Sequence, residues 1–344
     1  MWNIGASTAR AAAASLLLLS CATEKRPSSL PRTCDPDPSK LCILVMPTYT
    51  ALLQGVNGAL DQDDVAPDFS DWYQEHQSSY DTPEETIAAF LLYRYERTLA
   101  KTLSNSGLAG LDFDIVMGHP GWDWEAGSGS YPYDADLGSD MDAAIEDAYL
   151  TTNLETVQAE AGADVVMLVA GEGFDANWAG RAWTGIGQFS TPLLSGSGDQ
   201  PRRRALGVVD LVQMHAFVHE LGHILGAKHD KNEDPDCALP YPSSAPAGFP
   251  RCGYRRVADD WMTIMSYFGN CTTCSRDWVF SGSDPGDRHR GSKVGVAGES
   301  NNRCIVEQMW HYRARISDLP DQATLDIAPE GDYEDSADLA SCSN

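Results

Sequence analysis

Basic residues are scarce in this sequence. Its 344 residues contain 24 Lys and Arg against 50 Asp and Glu, which gives a formal net charge of -26. Such a chain repels the phosphates of nucleic acids and anionic membrane surfaces, so neither is expected as a partner. The sequence also lacks internal repeats and any apolar run long enough to span a bilayer. Its hydrophobic content of 42% is ordinary for a globular protein.

The first 21 residues have the composition of an export signal. Arg10 is followed by an apolar run at 11–19, which is too short for a transmembrane helix and has the length of a signal-peptide core. The segment 18–21 (LLSC) is similar to the lipobox of bacterial lipoproteins, in which the cysteine is lipidated and becomes the new N-terminus. We therefore expect a secreted or extracytoplasmic protein anchored at Cys21, with a plain signal peptide as the alternative.

The nine cysteines fit an oxidising compartment. Without Cys21 an even eight remain, as expected of disulfides. We favour a bond between Cys237 and Cys252, because it would close a loop rich in Pro and Gly. Cys271 and Cys274 form a CxxC pair, but no second pair stands at zinc-ribbon spacing, so a role in disulfides is expected.

Alternating strand and helix signals predict a mixed α/β fold. Continuous apolar runs at 41–47, 111–117 and 163–170 are typical of buried strands, and the helical patterns between them indicate crossover connections in a mainly parallel sheet. Weaker strands are expected at 180–187 and 205–209, and helices at 82–107, 139–162 and 304–316.

The expected organisation has four parts. They are a signal peptide (1–21), a polar tether or short propeptide (22–40), one folded domain (41–317) and an acidic C-terminal tail (318–344). A monomer is expected.

Three histidines stand at the spacing of metal ligands. His219 and His223 are four residues apart, so on a helix their imidazoles lie on one face and can share one Zn²⁺. Gly226 can adopt the positive φ that ends the helix and turns the chain back, which brings His229 to the same metal. Three protein ligands leave a position for water, as in a catalytic zinc site.

Glu220 follows the first of these histidines directly. From that position its carboxylate can reach a metal-bound water without binding the metal itself. We therefore predict that Glu220 is the general base of a hydrolase.

The segment 219–229 matches HExxHxxGxxH, and with it the chain resembles the metzincin clan of zinc metallopeptidases. The resemblance implies a second clan feature, a methionine turn beneath the metal, which Met265 matches at 36 residues after His229. It also implies the metzincin fold. That fold has an upper subdomain with a twisted, mostly parallel five-stranded sheet and helices, an active-site helix, and an irregular lower subdomain.

Two residues, one next to each motif, refine the resemblance. Asp230, directly after the third histidine, is similar to the reprolysin (adamalysin) branch. Tyr267 is more similar to astacins and serralysins, in which this tyrosine approaches the metal or the oxyanion. Bacterial reprolysin-like enzymes, including peptidyl-aspartate endopeptidases, combine both features, and the chain resembles them most.

Several weaker sequence features can be interpreted in more than one way. His215 lies one turn before His219 and could face the cleft, but a partly exposed helix position is the simpler interpretation. Cys34 is similar to the cysteine switch of some metzincin zymogens, although a disulfide fits the even cysteine count better. Aromatic residues in a Gly-rich loop could line a substrate cleft or cover their own loop; they are Trp122, Trp124, Tyr131 and Tyr133. Ca²⁺ is a possible second metal at acidic loops such as 284–287, without EF-hand spacing.

These observations predict a zinc endopeptidase that cleaves protein or peptide substrates. His219, His223 and His229 would hold the metal, Glu220 would assist the attack of zinc-bound water, and Tyr267 would help to stabilise the oxyanion. Two alternatives remain: a surface lipoprotein that binds protein or glycan with a structural zinc, and a zinc hydrolase of non-peptide amides.

Overall fold

The computed structural model describes thirteen segments of the chain, and all structural statements below concern them. They are residues 30–31, 33–37, 39–60, 68–118, 152–171, 179–182, 205–233, 235–238, 252–267, 271, 273–282, 288–296 and 300–312. Within these segments no helix has both the length and the apolar character that crossing a membrane requires. The predicted signal peptide and the acidic tail lie outside the described residues.

Five strands form the central sheet, which confirms the expected mostly parallel architecture. They are β1 (Leu41–Pro47), β2 (Phe113–Met117), β3 (Val165–Ala170), β4 (Gly180–Ala182) and β5 (Leu206–Asp210). Their order is β2-β1-β3-β5-β4. The first four strands in that order run parallel, and β4 runs antiparallel to β5 at the edge.

Six α-helices in the described part of the chain accompany the sheet. They are α1 (Tyr49–Gln54), α2 (Phe69–His76), α3 (Pro83–Asn105), α4 (Thr152–Ala161), α5 (Met214–Ile224) and α6 (Asn302–Tyr312). The long helix α3 begins as its sequence predicts, because the Thr82 side chain accepts a hydrogen bond from the Glu85 N–H at 3.1 Å and Pro83 occupies the first turn. It ends before Gly107, which has φ of 73°.

The sheet is buried on both faces, which explains why its strands are continuous apolar runs. On β1, Ile43 and Val45 belong to the core that includes α3 and α5, whereas Leu44 and Met46 belong to the core that includes the end of α4. Successive side chains of a strand point to opposite faces, so each strand contributes to both cores. Helix α5 therefore lies against one face of the sheet, next to the edge strand β4.

The predicted elements correspond closely to the observed ones. The strands expected at 41–47, 111–117, 163–170 and 205–209 are β1, β2, β3 and β5, with ends shifted by at most two residues. Only parts of the elements expected at 139–162, 180–187 and 304–316 are described, as α4, β4 and α6. Sequence analysis did not predict α1 and α2.

The chain after α5 contains short strands. They are β6 (Lys228–Asp230), β7 (Cys252–Gly253), β8 (Arg255–Arg256), β9 (Trp261–Met262), β10 (Ser275–Arg276), β11 (Arg288–His289) and β12 (Ser292–Lys293). The predicted disulfide Cys237–Cys252 is confirmed. Among the described cysteines, Cys34 bonds to Cys42 and Cys271 bonds to Cys274, two pairings that the sequence left open. The pairing of Cys34 excludes the cysteine-switch interpretation in this state, because its thiol is bonded.

Candidate metal centre

Helix α5 is fixed to the rest of the core by stacked aromatic rings. The rings of Tyr95 on α3 and Phe217 on α5 are parallel, with 4.0 Å between their centroids. Both side chains are fully buried. Because Phe217 lies two residues before His219, this contact sets the position and rotation of the helix that carries the first two histidines.

The C-terminus of α5 turns back through a Schellman motif. The Gly226 N–H donates to the His223 carbonyl at 2.9 Å, and the Ala227 N–H donates to the Gly222 carbonyl at 2.8 Å. Gly226 has φ of 89°, a conformation that a residue with a Cβ adopts only with strain. The turn leads directly into β6, which places His229 beside the helix, as the glycine spacing predicts.

The three predicted metal ligands come together. The Nε2 atom of His229 lies 3.2 Å from Nε2 of His219 and 2.8 Å from Nε2 of His223. Within the described parts of the chain, these histidines are the one group of three or more His, Cys, Asp or Glu residues close enough to hold a metal ion. Three imidazole nitrogens that face one point are a donor set suited to Zn²⁺.

Backbone carbonyls orient two of the rings. His219 places Nδ1 2.8 Å from the Ile264 carbonyl, and His223 places Nδ1 2.9 Å from the Ala227 carbonyl. Since a carbonyl only accepts, each Nδ1 carries the proton and each Nε2 presents its lone pair to the metal position. These two rings thus have the tautomer that zinc ligation requires.

The surroundings also keep His219 and His229 neutral. Burial, with added repulsion from His223 and Arg276, lowers the pKa of His219 well below its ordinary value. Burial lowers the pKa of His229 to about 3, with smaller contributions from Lys228 and Arg276. Neutral imidazoles are the form that binds a metal, so the residues fit a zinc ion.

Met265 lies beneath the histidines, where the methionine turn was predicted. It is fully buried, and its sulfur and methyl contact Gly222 on α5, between the two helical histidines. The Ile264 carbonyl that orients His219 belongs to the same turn. The turn therefore supports the metal position by packing and by one hydrogen bond.

Glu220 lies beside the edge strand β4. Its carboxylate is 4% exposed, and a Cβ placed on Gly180 would come within 2.7 Å of its Cγ and Oε1. The missing side chain at Gly180 therefore provides the space in which this carboxylate lies. Burial raises the pKa of Glu220 to about 8, and the cations Arg181 and Arg276 counteract this shift in part.

Tyr267 lies against the third histidine. Its ring centroid is 4.1 Å from that of His229 and 5.7 Å from that of His219. Burial and the neighbouring Glu220 raise the pKa of its phenol, so the hydroxyl is kept protonated and able to donate.

Asp230 links the third histidine to the methionine turn. One carboxylate oxygen accepts from the Tyr267 N–H at 3.2 Å, and the other accepts from Nη2 of Arg255 at 2.6 Å. The side chains of this ion pair are 4% and 5% exposed. The pair fixes β6, and with it His229, to the chain around Tyr267.

Sequence reasoning missed several residues that shape the site. Gly180, Arg255 and Arg276 have no motif around them, and their roles depend on contacts with distant segments. Asn302, at the start of α6, forms two hydrogen bonds with the backbone of Lys228, the residue before His229. Its Nδ2 donates to the Lys228 carbonyl, and its Oδ1 accepts from the Lys228 N–H. No local pattern signals any of these contacts.

The weaker predictions have mixed outcomes. His215 is half-buried on α5, in agreement with the interpretation as a partly exposed helix residue. The four aromatic residues between 122 and 133 and the acidic loop at 284–287 lie outside the described residues, so the predicted substrate cleft and Ca²⁺ site stay predictions.

Comparison with known families agrees with this geometry. Residues 128–278, which include the three histidines, match the family model Reprolysin_5, metallo-peptidase family M12. The chain resembles a metzincin-like zinc metallopeptidase. A zinc peptidase of this kind has a mixed α/β fold and a zinc cofactor, and the three-histidine cluster could bind a metal ion.

Other comparisons add little to the metallopeptidase resemblance. No curated protein matches the chain. A chain from a structure titled "Structure of a chaperone-substrate complex" aligns with 15% identity and a TM-score of 0.43, over 82% of this chain and 36% of that chain. The present chain thus spans about a third of the length of that protein.

Proposed function

We propose that this protein is a zinc-dependent endopeptidase that hydrolyses peptide bonds of protein substrates. The observation that carries the proposal is the convergence of three histidine Nε2 atoms, together with the buried carboxylate of Glu220, which follows His219 on the same helix and lies against Gly180 of the edge strand. A zinc ion with a purely structural role would not need this buried carboxylate.

Glu220 would move the proton. Bound at the three histidines, zinc supplies Lewis acidity that makes a water molecule nucleophilic near neutral pH and polarises the scissile carbonyl. The Glu220 carboxylate would accept the proton of the attacking water and later deliver it to the leaving amine. Its position among apolar surroundings, with Arg181 and Arg276 as nearby cations, suits a group that must gain and lose a proton.

Tyr267 would assist the transition state. Its phenol is kept protonated and its ring lies against His229. A hydroxyl donor close to the metal ligands can donate to the oxygen on which negative charge develops.

The edge strand β4 supports an extended peptide as the substrate. It runs antiparallel to β5 at the edge of the sheet and passes Glu220 at Gly180. An extended peptide can add to a sheet edge through backbone hydrogen bonds, which would place one of its peptide bonds near the carboxylate. This binding mode favours a peptidase over a hydrolase of small non-peptide amides.

The test is cleavage of a mixed peptide library by the chain without residues 1–21. We expect cleavage with zinc, none with a chelator, and a loss of several orders of magnitude in Glu220→Gln at unchanged zinc content. Exposed Glu75→Gln on α2 is the matched control and should cleave like the wild type. A wild type that holds one zinc but cleaves nothing would favour the binding lipoprotein instead.

We further propose export and anchoring through a lipid on Cys21. The support is the sequence pattern of residues 1–21 and the three disulfides, which are typical of extracytoplasmic proteins. Labelling of the expressed full chain with a radioactive fatty acid should depend on Cys21 and disappear in Cys21→Ala. Labelling that persists in that variant would contradict the proposed site.

A further inference from the structure

The peptide unit between Ser266 and Tyr267 is held at both ends by charged side chains. Its carbonyl oxygen, on Ser266, accepts a hydrogen bond from Nη2 of Arg276 at 3.1 Å. Its N–H, on Tyr267, donates to Oδ2 of Asp230 at 3.2 Å. A cation at the oxygen and an anion at the N–H both favour the same peptide dipole, so the two hydrogen bonds strengthen each other.

Both charged side chains are attached to firmly held backbone. Arg276 belongs to β10, which pairs with β9, and the N–H of the following residue, Asp277, donates to the Met262 carbonyl at 2.8 Å. The Cys271–Cys274 disulfide closes the chain immediately before this strand. The carboxylate of Asp230 is in turn held by Arg255 on β8.

The two hydrogen bonds hold the backbone from which the Tyr267 side chain projects. The planar peptide ends at the Cα of Tyr267, so anchoring its oxygen and its N–H restrains the position of that Cα and of the ring attached to it. In the observed orientation the ring centroid lies 4.1 Å from that of His229. Displacement of a reacting group by about 1 Å can cost on the order of 100-fold in rate.

We propose that Arg276 is a positioning residue for Tyr267. It fixes the Ser266–Tyr267 peptide plane and thereby holds the phenol beside the third histidine. The catalytic consequence rests on the proposed peptidase function, whereas the structural consequence does not.

The structural consequence is tested without any measurement of activity. A single 3-fluorotyrosine at position 267 gives one ¹⁹F resonance that reports the environment of the ring. We expect Arg276→Met to shift and broaden this resonance, and Arg276→Lys to move it part of the way. Arg288→Met is the matched control, because Arg288 also donates to a backbone carbonyl, that of Gly291 at 2.9 Å, but in the hairpin β11–β12. An unmoved resonance in folded Arg276→Met would overturn the proposal.

The catalytic consequence is tested by a double-mutant cycle with Tyr267→Phe. If Arg276 acts through the phenol, Arg276→Met and Tyr267→Phe should each lower kcat by about 10- to 100-fold at nearly unchanged KM. The double variant should then be no slower than the slower single variant.

Three outcomes of the cycle would overturn the catalytic part. Multiplicative losses would mean that Arg276 acts independently of Tyr267. A rise in KM with unchanged kcat would mean that Arg276 binds the substrate. An unchanged rate in Tyr267→Phe would mean that the positioned ring has no part in the reaction. If the wild type cleaves no peptide, the proposed function fails, and the ¹⁹F result still decides the positioning.

Discussion

Gly222 lies directly on the sulfur of Met265: a Cβ placed on Gly222 would come within 2.5 Å of Met265 Sδ and 3.1 Å of a Phe280 ring carbon. Helix α5 can therefore approach the turn that contains Met265 only because this position lacks a side chain. The close approach sets the depth at which the two helical histidines lie above the turn.

Gly222→Ala should destabilise the zinc-loaded protein by about 1–3 kcal/mol, because the added methyl overpacks a buried contact. The cost of overpacking should exceed the stability gain of up to about 1 kcal/mol that replacing glycine by alanine normally brings to a helix. Chemical denaturation with zinc present measures the difference. Gly110→Ala is the control, since a Cβ there meets nothing within 4 Å. Equal stability of the two variants would contradict the contact.

Gly180→Ala should have a different effect, on activity more than on stability. The new Cβ would come within 2.7 Å of Cγ and Oε1 of Glu220, so this flexible side chain would have to take another rotamer. We expect zinc content and unfolding free energy close to those of the wild type, with peptide cleavage reduced at least about 10-fold because the base is displaced. Wild-type kcat in this variant would argue against a fixed position of the carboxylate.

Arg255→Met should be the most destabilising of these changes. It leaves the buried carboxylate of Asp230 without its ion-pair partner, for which losses of about 3–5 kcal/mol are usual. Addition of Asp230→Asn should recover part of the loss, because it removes the unpaired charge. Urea denaturation of the wild type, the two single variants and the double variant gives the coupling energy. A double variant that loses the sum of both single losses would exclude the coupling.

The contribution of Glu220 to the unfolding free energy of the metal-free protein should fall as the pH rises from about 5 to 8. Glu220 has a pKa of about 8 in the folded chain, well above its ordinary value, because burial disfavours its charge. The unfolded chain therefore releases this proton at lower pH than the folded chain, and folding is progressively opposed until the folded group also ionises. Each unit of difference between the pKa of Glu220 in the folded and in the unfolded chain changes the unfolding free energy by about 1.4 kcal/mol.

Glu220→Gln provides the test of this pH dependence, because it cannot ionise. Relative to the wild type, the metal-free variant should gain stability between pH 5 and pH 8 by at least about 1 kcal/mol. The measurement is the unfolding free energy of both chelator-treated proteins at the two pH values. A constant difference between them would show that Glu220 is not held in its neutral form.

The sequence predicted the parts of the fold and site that depend on local periodicity. The buried runs at 41–47 and 163–170 are strands because continuous apolar segments suit a sheet covered on both faces. The spacing of His219, His223 and Gly226 predicted one helix face and its end, because helix geometry and the positive φ of glycine act within a few residues.

The supporting contacts could not be predicted in this way. The carbonyl of Ile264 orients His219 from 45 residues away, and Asn302 holds Lys228 from 74 residues away. Arg276 lies in a stretch of short strands whose sequence has no period. Such contacts depend on how distant segments meet, and hydrophobic periodicity contains no information about that.

The hydrogen bond from His219 to the Ile264 carbonyl links metal binding at the three histidines to the position of the turn that contains Met265. Zinc favours the conformation in which that carbonyl is in place, and by reciprocity an ordered turn raises the affinity for zinc by the same factor. Metal binding would thus depend on complete folding. A chain in which the segment around Met265 had not packed against α5 would bind zinc weakly and would therefore be inactive.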